Sequence, residues 1–276
     1  MIQMTYRVRR LGVGPGLRKL TALGLALLAS GCGGGGPAGD DAQTVAAADL
    51  RVLMMGNSHT STADLPQQLK AMLRAGRPAR SVAVAVAPEW MFLEERSVHA
   101  PSLALLRSQR WSAVVLQAQK YSTSGQFSYS TDGAKLLVQA SRGQQAVPLL
   151  FPEWPRRGVD ETARIYDLHV SIAQAQPACV APIGQAWDLA GQRHPALRLH
   201  EADGNHAALP GAYLTALMLY ATLTGESPRA LPDLDNGVDP ATQAQLRAVA
   251  ADTAQAVPPR QHCPADPTLA GDPGPD

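Results

Sequence analysis

Charge is scarce in this chain. Only 17% of its 276 residues are charged and the formal net charge is +1, a balance that excludes the disordered class and gives no basic footprint for nucleic acid. No Gly-x-Ser-x-Gly elbow occurs, so the hydrolase class built on that motif is excluded. No nucleotide-binding glycine fingerprint follows any strand-like run. His99, His169, His194, His200 and His262 show no metal-ligand spacing, and neither a metal nor a cofactor is expected. No internal repeat is visible, and the length suits one domain with flanking segments.

The small positive charge is concentrated at the start. Arg7, Arg9, Arg10, Arg18 and Lys19 all precede Cys32, in a stretch without acids, so its removal takes the formal charge from +1 to −4. The apolar core Leu20–Leu28 is too short to span a bilayer and ends in Ala29-Ser30-Gly31-Cys32. That order reads as a signal peptide over residues 1–31. Small residues before a cysteine resemble a bacterial lipoprotein signal, with Cys32 as the lipidated new N-terminus; an ordinary secretory cut nearby is the other reading. Residues 32–48 are expected to be a Gly-rich tether, 49–257 the globular domain and 258–276 a frayed tail. The protein is thus expected to be exported and membrane-anchored, facing the periplasm or cell surface. In an oxidising compartment the other two cysteines, Cys179 and Cys263, can pair or remain free thiols.

Within the domain, apolar runs of strand length alternate with helical periodicity. Leu50–Met55, Ser81–Ala87, Trp111–Gln119 (running into polar residues), Ala146–Phe151 and Ala178–Pro182 read as buried strands. Asp64–Gly76 and Thr162–Gln174 space apolar residues as amphipathic helices. Leu209–Gly225 is apolar nearly all round, with Pro210 near its start and Gly225 at its end, and should be buried against the sheet. A final helix follows Asp239 as N-cap. This alternation predicts an α/β fold, a three-layer αβα sandwich around a five-stranded, doubly wound parallel sheet.

Chemistry concentrates at two places. The first strand ends abruptly in Gly56-Asn57-Ser58-His59-Thr60, which puts Ser58 at the carboxyl end of a strand, where open α/β sheets bind ligands. Asp203-Gly204-Asn205-His206 lies just before the apolar helix. A serine needs an imidazole to take its proton and a carboxylate to orient that imidazole, and the two stretches supply all three groups. A structural Gly-Asn-Ser turn is the plainer reading of the first stretch alone.

The pair GNSHT and Asp203-x-x-His206, in that order, resembles the first and last blocks of SGNH (GDSL-like) hydrolases, and PIGQAW and PGAYLTALMLYATLTG resemble an uncharacterised bacterial branch of them. The likeness covers about residues 50–228. It implies a flavodoxin-like fold and a serine esterase acting on carboxylic esters, including O-acetyl groups on carbohydrate, as a monomer without a nucleic-acid partner. Ser58 is then the nucleophile, His206 the base and Asp203 its orienter. The oxyanion would be met by the Ser58 N–H and by Gln119, which falls on the family's asparagine, with Gln117 as the alternative donor. The family's second glycine block has no counterpart in Pro88–Met91. Trp90, Glu153 and Trp154 are candidate substrate contacts, each with a plainer reading as loop packing or a solvated carboxylate. His59 is expected to form a cleft wall. The departures in the oxyanion blocks motivate another reading, a catalytically silent lipoprotein that holds a glycan or a partner in the same cleft.

Overall fold

Five short strands lie side by side because their residues are too apolar to face water on either side. They are β1 (Leu50–Met55), β2 (Val82–Val86), β3 (Ala113–Gln117), β4 (Val147–Phe151) and β5 (Cys179–Val180), and almost every residue in them is buried. Burial on both faces is the signature of a parallel sheet under helices. In the computed structural model, which describes residues 39–269, all pairings are parallel in the order β2-β1-β3-β4-β5. That is a doubly wound arrangement whose order reverses beside β1.

Nine helices among the described residues complete the chain: α1 (Ala42–Ala47), α2 (Leu65–Gly76), α3 (Leu93–Arg96), α4 (Ala100–Arg107), α5 (Asp132–Gly143), α6 (Thr162–Ala175), α7 (Ile183–Arg193), α8 (Leu209–Thr224) and α9 (Pro240–Ala256). Strand alternation divides the core into two layers. Val52, Met54, Val84, Val115 and Leu149 pack with α2, α7, α8 and α9. Leu53, Met55, Ala85, Val114 and Leu150 face α1, α4, α5 and α6. The three-layer αβα sandwich is therefore present as expected. Gly225 closes α8 in the left-handed region, and the Asp239 carboxylate caps α9 by accepting from Thr242 N–H. α4, with Pro101 at its second position, and α5, ending at Gly143, join the helices expected from periodicity; among the described residues no helix is long and apolar enough to cross a membrane.

Both ends of the domain reach further than expected. Residues 32–48 read as tether, yet Asp41 caps α1 and Val45 is buried in the second core layer. Asp40 N–H donates to Val84 O at 2.9 Å, and its carboxylate accepts from Val84 N–H at 2.8 Å, covering the open edge of β2. At the opposite edge Val180 N–H donates to Pro259 O. Residues 258–269 are likewise held rather than frayed: Arg142 grips Asp266 with two 2.8 Å bonds, and Cys263 is joined to Cys179 of β5. An exposed edge strand is a template for unwanted pairing, and here each edge is closed by a flanking segment. The leader, Cys32 and the last seven residues lie outside the described residues.

Candidate active site

β1 ends at Met55, and the chain turns at once through Gly56 because a side chain there would collide with Gln117 Oε1. Asn57 Oδ1 accepts from His59 N–H at 3.0 Å, starting a 3-10 turn over Ser58–Thr60. The turn aims Ser58 Oγ at His206 Nε2, 2.9 Å away. His206 Nδ1 lies 2.6 Å from Asp203 Oδ2. Because an ionised carboxylate can only accept, Nδ1 carries the proton and Nε2 is free to accept from the serine hydroxyl.

Asp203 is itself locally organised. Its Oδ1 accepts from the Asn205 and His206 N–H groups at 2.9 and 3.0 Å, and Gly204 turns through φ +71°. The His206 hydrogen bond first, then the backbone donors, hold its carboxyl well below the usual carboxylate range. This pair sits in a turn before α8 and not on a helical step, and the turn is closed by pairing of His200 with Ala207. Such an arrangement can move a proton from Ser58 to His206 and stabilise the imidazolium that forms.

Ser58 and His206 sit where two recesses meet. A cleft of about 520 Å³ is lined by Asn57, Phe92, Gln119, Tyr121, Tyr129 and Glu153, among others. The second, about 400 Å³, is lined by Ser58, Ser61, Thr62, Trp90 and His206. Larger grooves exist elsewhere, including one of about 1110 Å³ beside Asp188 and His200, but they contain neither Ser58 nor His206.

Of the two glutamines, Gln119 lines the cleft with both amide hydrogens committed, and Gln117 lies fully buried beneath Asn57 with one of its two amide hydrogens committed. Gln119 Nε2 donates to Lys120 O and Ser130 O at 2.9 and 3.0 Å, which uses both amide hydrogens to brace the loop after β3. Gln117 Oε1 accepts from Asn57 N–H at 2.8 Å while its Nε2 donates to Glu153 Oε1 at 2.5 Å. At position 119 a glutamine replaces the expected smaller residue and spends its longer stem on loop backbone; of the expected oxyanion donors, the Ser58 N–H and the second Gln117 Nε2 hydrogen remain uncommitted.

Of the expected substrate contacts, Trp90 and Glu153 line recesses, but Trp154 is only 2% exposed. Its ring is stacked on Trp187 at 4.7 Å and its Nε1–H is committed to Asn205 O, so it supports the site from below and cannot touch substrate. His59 does line the cleft, and its ring is 5.1 Å from that of His206. Its Nδ1 is 3.6 Å from Glu153, an ion-pair distance and not a hydrogen bond. Burial is the largest single influence and opposes the imidazolium, but the Glu153 carboxylate, the Asn205 backbone and the Asp203 charge together outweigh it and raise the His59 pKa above its ordinary 6.5. A raised pKa contributes stability below the unfolded value and loses it as pH rises through the folded one. The stability gap between wild type and His59→Gln is therefore expected to be wider at about pH 5.5 than at about pH 8.5 in urea unfolding; a gap that widens toward alkaline pH refutes this.

Sequence reasoning missed Arg96, a fully buried cation. Its guanidinium donates to Gly56 O, Glu89 O, Pro88 O and Ser102 Oγ, all within 3.1 Å, and so ties the Ser58 turn to the loop after β2. Burial lowers its pKa to about 10. No periodicity marks such a residue, since its partners are backbone carbonyls of distant loops.

No family model matches the chain, and no curated protein matches it. Among solved structures it is similar to a protein from Slackia heliotrinireducens described as an SGNH hydrolase, at 23% identity and a TM-score of 0.52, over 63% of this chain and 98% of that one. It is also similar to a DUF4886 family protein from Bacteroides uniformis, at 18% identity and a TM-score of 0.59, over 76% of this chain and 95% of that one. The chain has an SGNH-hydrolase-like fold.

Proposed function

We propose that this protein, built on the SGNH-hydrolase-like fold, is a serine esterase that hydrolyses carboxylic esters. The observation that carries the reading is the unbroken chain from Ser58 Oγ to His206 at 2.9 Å and from His206 to Asp203 at 2.6 Å. Ser58 Oγ attacks the carbonyl carbon while His206 Nε2 takes its proton. The tetrahedral oxyanion is met by the Ser58 N–H. Collapse expels the alcohol oxygen, which takes the proton back from His206. Water, activated by the same imidazole, then releases the acid from the acyl-enzyme.

The alcohol is a carbohydrate bearing O-acetyl groups. Support comes from the rim: Trp90, Phe92, Phe127 and Tyr129 are exposed large apolar groups on the loops flanking the cleft. Residues 121–131 (YSTSGQFSYST) contain hydroxyls, an amide and aromatics but no aliphatic side chain. Aromatic faces suit the C–H faces of sugar rings, and hydroxyl and amide groups suit their OH groups. A surface for a long acyl chain would instead offer aliphatic groups.

The leader composition supports export, with a lipid on Cys32 as the anchor. The silent-binder reading has one specific observation in its favour, the commitment of both Gln119 amide hydrogens to loop carbonyls away from the oxyanion position. A serine-reactive fluorophosphonate and p-nitrophenyl esters of increasing chain length separate the two. Labelling of Ser58 with a preference for acetate is expected; absence of both labelling and hydrolysis in folded protein would leave the binder.

A further inference from the structure

Ser58 and His206 are 148 residues apart, on loops that approach from different parts of the chain. Asp203 and His206 keep side-chain exposures of 48% and 35%, so burial alone does not hold them in place. The segment that follows β4 touches both loops. We propose that residues 153–157 (EWPRR) are the element that registers the nucleophile loop against the base loop, with Arg157 as its principal positioning residue.

Toward the base loop the contacts are numerous. Arg157 N–H donates to Gly204 O at 2.9 Å, and its Nη2 donates to His200 O at 3.1 Å and Glu201 O at 2.5 Å. Trp154 Nε1–H donates to Asn205 O at 2.8 Å, and Pro155 O accepts from His200 Nε2 at 2.8 Å. Carbonyls from His200 to Asn205, on both sides of Asp203, are thereby fastened to one short stretch. Toward the nucleophile loop the same stretch meets His59 directly, with Glu153 at 3.6 Å and the Trp154 ring edge-on at 5.0 Å, and reaches the peptide before Ser58 through Gln117. Glu153 accepts from Gln117, and Gln117 accepts from Asn57 N–H, the peptide just before Ser58.

The guanidinium matters because one planar group can serve two neighbouring carbonyls, whereas a lysine offers a point charge on a flexible stem. Misplacement of a catalytic pair by about 1 Å can cost on the order of 100-fold in rate. Arg157 is exposed, so its removal spares the core. The proposal rests on the esterase reading for its kinetic test only.

The purified full chain, wild type, Arg157→Ala and Arg157→Lys, is assayed with p-nitrophenyl acetate and with a fluorophosphonate. We expect Arg157→Ala to lower kcat by about 10- to 100-fold with KM nearly unchanged, to slow Ser58 labelling by the same factor, and Arg157→Lys to restore part of it. Unchanged kcat, or a loss explained by the unfolded fraction in a thermal melt, overturns the proposal. A crystal structure of Arg157→Ala gives a readout without activity. A Ser58–His206 separation beyond hydrogen-bond reach supports it, and an intact 2.9 Å contact overturns it. Failure of wild type to hydrolyse or be labelled removes the esterase reading, and the crystal structure alone then decides the alignment.

Discussion

Ser58→Ala and His206→Ala are each expected to lower kcat for p-nitrophenyl acetate by about 10³- to 10⁶-fold, equivalent to roughly 4–8 kcal/mol of transition-state stabilisation. The double substitution should cost little more than either one, because nucleophile and base act as a unit and the first loss already disables the second. Asp203→Asn should also be severe, on the order of 10⁴-fold, since an amide can donate to Nδ1 and turn the imidazole into the wrong tautomer. Steady-state kinetics on the three single variants and the double variant check this. Additive losses in the double variant would sink the idea of a common chain. Asp203 also sets a sign for pH. Its carboxyl is held low by His206 and two backbone N–H groups, so its support is present above the ordinary carboxylate range and lost only as pH falls through the depressed value. Activity lost in mildly acid solution is therefore not to be assigned to Asp203.

The second large effect concerns the covalent link between β5 and the C-terminal segment. Cys179 and Cys263 are separated by 84 residues and their Cα atoms by 4.9 Å. Closing a loop of that length restricts the unfolded chain by about 4.6 kcal/mol in the entropic account, and measured values for native bridges run from about 2 to 5 kcal/mol. Cys263→Ser, or reduction, should lower unfolding stability by roughly that amount in urea titrations. The segment it anchors also supplies Pro259 O to the edge of β5 and Asp266 to Arg142, so its release exposes the sheet edge as well. Identical urea midpoints with and without reductant would refute the bridge's role, as would two titratable thiols in the native protein.

The esterase and the alignment predictions divide the site by kind of residue. In the esterase reading Ser58 and His206 exchange the reacting proton and Asp203 orients the imidazole. Gln117, Trp154 and Arg157 hold backbone. A loss confined to kcat in the second group, against near-abolition in the first, is the pattern the geometry predicts.

By itself the sequence determined the sheet, the turn and the pair. An apolar run of strand length breaking into Gly-Asn-Ser-His reads as a strand entering a tight turn, because the run needs burial, is too short for a helix, and the turn formers cannot continue it. Asp203 and His206 meet because a two-residue turn, Gly204-Asn205, separates them. The α8 boundaries followed from Pro210 and Gly225, whose backbone preferences act locally. Each of these is a short-range effect, written within a few residues. Tertiary structure decided the rest. Whether Gln119 faces the oxyanion or two loop carbonyls depends on where residues 120 and 130 come to lie. Whether Trp154 meets substrate or stacks on Trp187 depends on a helix 33 residues onward in the chain. Arg96 and Arg157 look like surface arginines until the distant carbonyls that receive them are in place. Asp40 and Pro259 look like tether and tail until each finds a sheet edge. Backbone groups are the same in every residue, so a hydrogen bond between distant loops leaves no period or motif, and only the folded chain reveals which side chain completes it.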